Sequence, residues 1–206
     1  TKYPLQFFCS LLKQAKNEPK PIEEICKIHE ELHLFGIKLL PPCLMKSQND
    51  FSIEGPNIRF GLSSIKGISD KTVVALHNFK NVDANRFQIF ESAANAEIST
   101  GVLSALIQAG CMDDVLAGAT RSSLVLQAQL WGIFTDKERR VALQCGERFK
   151  FNLFDVYTYM KTMLDEKGKP VIKESRHKTI MKSYAPKRDI YNENKKHEQL
   201  VNFFYE

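Results

Sequence analysis

The chain has 206 residues, 43% hydrophobic and 26% charged, with a net charge of +5. That is the profile of a water-soluble globular protein with room for one core or two small ones. No apolar run reaches membrane-spanning length and no signal-peptide pattern opens the chain, so no membrane partner is expected. Five widely spaced cysteines (Cys9, Cys26, Cys43, Cys111, Cys145) are odd in number and form no C-x-x-C pair. They argue against a disulfide framework or a zinc site and fit a reducing cytosol.

Residues 3–13 read as an apolar helix carrying Leu5, Phe7, Phe8, Leu11 and Leu12, with no cap or start methionine before it. Such an opening looks like a cut inside a larger protein. Pro19 and Pro21 break that helix. A second helix follows, with Ile22, Ile25, Cys26, Ile28, Leu32 and Phe35 along one side and Gly36 closing it. Residues 37–40 suit a short strand stopped by Pro41-Pro42. Residues 51–53 and 58–60 suit a β-hairpin turning over Glu54-Gly55-Pro56-Asn57.

The stretch 58–76 organises the rest. Ile65, Gly67 and Ile68 make a hydrophobic–x–Gly–hydrophobic turn, and Ser69 and Asp70 then open an amphipathic helix through Val73, Val74 and Leu76. Gly67 permits φ > 0 and close backbone approach, and Ser69 suits an N-cap. A turn of this kind leaves N–H groups of a helix N-terminus facing outward, ready for a phosphate oxygen, with Lys66 and Lys71 adding charge. It has the form of a helix-hairpin-helix DNA-binding hairpin, with Ser69 where a second glycine usually stands. The plainer reading is an ordinary capped turn between core elements.

Beyond the hairpin everything reads as helical. Helices are expected at 86–96, at 100–109 closed by Gly110, from the N-cap Thr120 to Trp131, at 137–145, and at 156–165. A Gly/Pro turn at 166–170 and two last helical segments reach Phe203-Phe204-Tyr205-Glu206, an ending with no stop signal that also looks like a cut. The expected fold is mostly α: a helix-hairpin-helix domain with a small β-hairpin, packed through Phe60, Leu62, Ile65 and Val73, then a C-terminal helical extension. The basic excess lies late. Residues 147–206 hold 13 Lys/Arg against 9 Asp/Glu, and residues 1–146 hold 16 against 15. Nucleic acid is one partner for such a stretch; a solvated helix face is the commoner use.

Catalytic signatures are missing. There is no phosphate-binding G-x-x-x-x-G-K-[ST] loop, no G-x-S-x-G elbow and no H-E-x-x-H. His29 and His33 stand at i, i+4 but lack a third ligand, so a solvated helix face is favoured over a metal site. Glu23-Glu24 and Asp113-Asp114 sit at helix ends, where they complement the dipole. No residue is assigned to catalysis, to a metal or to a cofactor.

The order of motifs resembles the segment behind the catalytic core of the C-family bacterial replicative polymerases, the DNA polymerase III α subunits. Tyr3-Pro4 through Phe7 resembles the family's Tyr-Pro-x-x-Phe helix at the end of the fingers. Residues 34–42, with Gly36-Ile37 and Leu40-Pro41-Pro42, resemble its Gly-Ile…Leu-Pro-Pro stretch. Phe51 and residues 58–67 resemble its hairpin motif. Val102-Leu103, Leu106-Ile107, Ala109-Gly110 and Asp113 resemble the helix that closes its domain.

This resemblance, over residues 3–126, implies a fingers-like helix at 1–20 and a tandem helix-hairpin-helix domain at 21–133 that grips duplex DNA behind the active site. It implies a linker at 134–154 with a clamp-binding peptide, leaving 155–206 as a helical extension that the family pattern does not explain. That extension is expected to pack as a separate small bundle. The implied DNA contacts are Lys66, Gly67, Ile68, Ser69 and Lys71. The implied sliding-clamp contacts are Leu153 and Phe154, in a peptide with Lys150 where the family has Gln; the alternative is that they anchor the following helix. The second pseudo-hairpin, Ile98-Ser99-Thr100-Gly101, lacks the basic residues usual there. A diverged lineage, viral included, would account for these departures. The parent would be a Mg2+-dependent nucleotidyltransferase of the bacterial cytoplasm and nucleoid, its metal in a palm upstream of Thr1. The implied partners are duplex DNA, the clamp and the rest of that polymerase. A free-standing replisome scaffold or decoy that reuses the module is the alternative.

Overall fold

A computed structural model describes residues 2–79, 85–116 and 118–194; the apolar ending at 203–206 lies outside them. Helix α1 (Pro4–Ala15) and helix α2 (Pro21–Leu34) each begin on a proline, whose fixed φ suits a first helical turn and whose missing N–H costs nothing there. Gly36, at φ 65, ends the second and sends the chain into β1 (Leu39–Leu40). The hairpin β2 (Ser52–Glu54) and β3 (Asn57–Arg59) turns over Gly55-Pro56, with β1 added in parallel to β3, so the sheet order is β1-β3-β2. Arg59 ties this small sheet together. Its guanidinium donates twice to the Glu54 carboxylate, at 2.7 and 2.6 Å, and once to the Pro41 carbonyl at 2.8 Å. Phe8, Leu12, Leu32, Phe51 and Ile58 form a core between this sheet and the first two helices, so α1 is not a detached element.

The second, larger core begins at Leu44 and Leu62 and runs to Tyr184. It collects α3 (Asp70–Asn78), α4 (Arg86–Asn95), α5 (Thr100–Gln108), α6 (Arg121–Trp131), α7 (Asp136–Cys145), α8 (Leu153–Thr162) and α9 (Glu174–Asn194). Leu62, Ile65 and Val73 are buried in it as expected, and Phe60 packs against both cores. Val74 does not join them. At 100° per residue it points away from Val73 and Leu76, and it is 67% exposed.

The extension is not a separate bundle. Helix α6 buries Leu124, Val125, Gln127, Ala128, Leu130 and Trp131, an arc of roughly 220° at 100° per residue, and its other residues are half-buried, none exposed. An arc that wide needs more than one neighbour to cover it. Helix α5 covers one flank, and α8 and α9 cover the others. Trp131 lies 5.2 Å from Phe87 and 6.5 Å from Phe134, which lies 5.9 Å from Tyr157 of α8. Aromatic pairs at such spacings contribute about 0.5–1.5 kcal/mol each beyond burial. Nor is 134–154 a linker: it holds α7 and a short 3-10 turn, Glu147–Phe149.

Candidate nucleic-acid interface

The first hairpin turn is built by local bonding. A single 3-10 turn, Leu62–Ser64, delivers Ile65, whose carbonyl accepts the Ile68 N–H at 3.0 Å. Closing that bond requires Gly67 at φ 91, a region that costs any L-residue about 1–2 kcal/mol. Ile65 and Ile68 then point inward, 9% and 6% exposed, and pin the turn to the core. Ser69 caps α3, its hydroxyl accepting the Thr72 N–H at 3.3 Å. The N–H groups of Gly67, Ser69, Asp70 and Lys71 have no acceptor in the protein among the described residues. These are the first-turn donors that attract anions.

Lys66, Gly67, Ser69, Asp70 and Lys71 are exposed at this tip, and neither lysine is in an ion pair among the described residues. Lys16, nearby, is already engaged by Asp50 at 3.1 Å and Ser63 at 3.3 Å. Ile68 differs from its expected role. Its side chain is in the core and its N–H is spent inside the turn, so it shapes the site without offering a contact.

A second turn repeats the first. After α4, Glu97 takes φ 57, Ile98 is 6% exposed with its N–H on the Ala93 carbonyl, and Ser99 caps α5 through the Val102 N–H at 3.2 Å. The turn lies at the second pseudo-hairpin expected at Ile98-Ser99-Thr100-Gly101, and the repeated Ile-Ser before each helix marks it; the left-handed Glu97, where glycine is usual, is what the sequence did not signal. The first turn lies against the body of α5: a Cβ on Gly67 would lie 4.0 Å from the Ala105 Cβ. Both turns open onto a groove of about 1480 Å3 whose far wall is α2, with Ile22, Ile25 and Cys26.

Leu153 and Phe154 stand elsewhere. They form the first turn of α8, capped by Asn152, whose side chain accepts the Phe154 N–H at 3.1 Å. Leu153 is fully buried and its N–H donates to Gln127 of α6 at 2.9 Å. Phe151 packs edge-on against Phe87 at 5.6 Å.

The cysteines and the histidine pair lie away from an activating environment. Burial pushes the Cys111 thiol up to about 12 and raises Cys9, Cys26 and Cys145 above their usual range, which leaves them protonated at neutral pH. His29 and His33 meet edge-to-face at 4.7 Å, and burial, then the neighbouring ring, lowers the His29 pKa. Among the described residues no group of three His, Cys, Asp or Glu side chains is placed to hold a metal ion, and no helix is long and apolar enough to cross a membrane.

Residues 36–124 match the family described as helix-hairpin-helix motif, a span that runs from the Gly36 turn through both hairpins into α6. The chain is similar to DNA polymerase III subunit alpha of Aquifex aeolicus, 33% identical over 144 residues, covering 64% of this chain and 12% of that protein. The same subunit of Bacillus subtilis is 26% identical over 179 residues, covering 79% of this chain and 16% of that protein. That of Saccharopolyspora erythraea is 29% identical over 127 residues, 59% of this chain and 10% of the protein. The resemblance carried by the motifs is therefore shown, and the chain spans 10–16% of the length of these relatives.

Proposed function

We propose that this chain is a non-catalytic, duplex-DNA-binding segment of a replicative DNA polymerase, with phosphates seated on the tip at 66–71. The observation that carries the reading is the set of exposed N–H groups of Gly67, Ser69, Asp70 and Lys71, which have no acceptor among the described residues, flanked by Lys66 and Lys71, which are in no ion pair among them. Backbone donors and a helix dipole recognise phosphate without regard to base, so binding is sequence-indifferent and falls steeply with salt. The similarity to DNA polymerase III alpha subunits supports the same assignment. Catalysis, Mg2+ and the remaining polymerase contacts would belong to the rest of such a protein.

Leu153 and Phe154 serve the fold in this reading. Clamp docking needs both side chains free, and releasing a fully buried leucine costs about 1.5–3 kcal/mol before any contact is made.

The test is a titration of labelled duplex at low salt. Lys66→Ala with Lys71→Ala is expected to lower the salt slope by up to about 1.8, since each phosphate contact contributes about 0.9. Gly67→Val is expected to weaken binding more, because valine resists φ 91. If Gly67→Val folds normally and binds duplex like the wild type, the tip is structural only.

A further inference from the structure

The charge of this protein is concentrated in one place. Residues 161–188 carry nine Lys/Arg against three Asp/Glu, while the remainder carries 20 against 21. Within that segment Lys161, Lys167, Lys169, Lys173, Lys178 and Lys182 are all exposed, and none is in an ion pair among the described residues. Arg176 is spoken for: it donates to both Glu138 oxygens at 2.7 Å and to the Ile133 carbonyl at 2.9 Å.

Those bonds fix where the lysines sit. Gly132, at the end of α6, lies against Thr100, so close that a Cβ there would collide with the threonine methyl. Thr100 is the first residue of α5 and immediately follows Ser99 of the second hairpin turn. Ile133 holds Arg176, in the first turn of α9, and Lys137 lies 3.9 Å from Asp165. The loop at 165–173 is itself ordered. Asp165 accepts the N–H groups of Lys167 and Lys169 at 3.0 Å each, Leu164 bridges to Pro170, and Ile172 is 2% exposed. The loop and the start of α9 therefore share one end of the molecule with the second hairpin.

We infer that Lys167, Lys169 and Lys173 of the extension form a second duplex-DNA contact surface, supplying the cations that the second hairpin lacks. That hairpin presents exposed N–H donors but also an exposed Glu97, and has no lysine or arginine of its own between Glu97 and Gln108. The inference rests on the duplex-binding reading of the first hairpin. It explains why a segment with no counterpart in the helix-hairpin-helix match at 36–124 is so basic and so firmly packed. The partner is a phosphodiester backbone because the surface offers three exposed lysines, interleaved with exposed Glu166 and Glu174, and no apolar or aromatic platform apart from Leu164 at 58% exposure.

The experiment measures the slope of log affinity against log salt for the whole 206-residue chain on labelled duplex. Lys167→Gln, Lys169→Gln and Lys173→Gln together are expected to reduce the slope by up to about 2.7, about 0.9 for each lysine that meets a phosphate. The matching triple change to Arg is expected to keep it. The thermal midpoint of either triple should match wild type, since the three side chains are exposed and in no ion pair among the described residues. An unchanged slope in the Gln triple, with Lys66→Ala/Lys71→Ala still lowering it, overturns this inference and leaves the first hairpin standing. Loss in the Gln triple alone sinks the first-hairpin reading instead. An equal loss from Lys2→Gln, Lys13→Gln and Lys38→Gln, before α1, on α1 and before β1, marks a net-charge effect and overturns the inference. So does binding of anionic lipid vesicles that needs the three lysines while the duplex slope stays constant.

Discussion

At the tip of the first hairpin, one residue works against the proposed ligand. Asp70 lies in the first turn of α3, where a carboxylate complements the helix dipole by about 0.3–1 kcal/mol. The same carboxylate is exposed beside the N–H groups a phosphate would use, and like charges repel across a few ångströms. Asp70→Asn removes the repulsion and keeps a polar residue in the first turn. The expected result is tighter duplex binding, by a few-fold at low salt, with a thermal midpoint slightly below wild type. A variant that binds no better would mean that DNA does not approach this tip. Gly67 and Ser69 were legible in the sequence because a glycine and a capping serine each have one common use at a turn. Gly61 was not. Its φ of −82 suits any residue, and it is glycine because a Cβ would sit 2.4 Å from the Asp50 carbonyl carbon. Only the folded chain brings Asp50 there. Glu97 was illegible for the opposite reason: it holds a left-handed position that local pattern assigns to glycine.

Among elements, the α7–α9 joint has a defined pH response. Glu138 is 5% exposed, caps α7 by accepting the Thr135 N–H at 2.7 Å, and receives both Arg176 bonds. Burial alone would raise its carboxyl pKa, but the Arg176 guanidinium and the Thr135 N–H outweigh burial and hold it below the ordinary value of 4.5. A carboxyl whose pKa is lower folded than unfolded stabilises the fold fully above its ordinary range, and that stability is lost as pH falls through the folded pKa. Unfolding midpoints followed by circular dichroism are therefore expected to drop below about pH 4.5, partly through this joint. Glu138→Gln keeps the capping geometry and removes the charge. It should cost about 1–2 kcal/mol at pH 7 and flatten the acid dependence. Equal acid sensitivity in the variant would assign the response to other carboxylates. This joint could not be read from sequence, since Glu138 and Arg176 are 38 residues apart and each suits a solvated helix face.

Over the whole molecule, the decisive fact is that α6 is covered on all sides. Sequence reading closed the first core after α6 and set the later helices apart. Yet no residue of α6 is exposed, and Leu124, Val125, Gln127, Ala128, Leu130 and Trp131 are buried, so the core does not close there. The chain beyond residue 133 contributes Leu153, Val156, Met160, Ile172 and Ile180, each at most 2% exposed. At about 1.5–3 kcal/mol per buried side chain, and as an upper bound, these five supply roughly 8–15 kcal/mol. That equals the whole stability of a typical domain, about 5–15 kcal/mol. A chain ending at residue 133 is therefore expected to lose its fold around α6, showing broadened thermal unfolding and strong binding of a hydrophobic dye. The intact chain should resist limited proteolysis through residues 134–150. Early cleavage in that window, or a well-folded 1–133 fragment with a sharp transition, would restore two independent units.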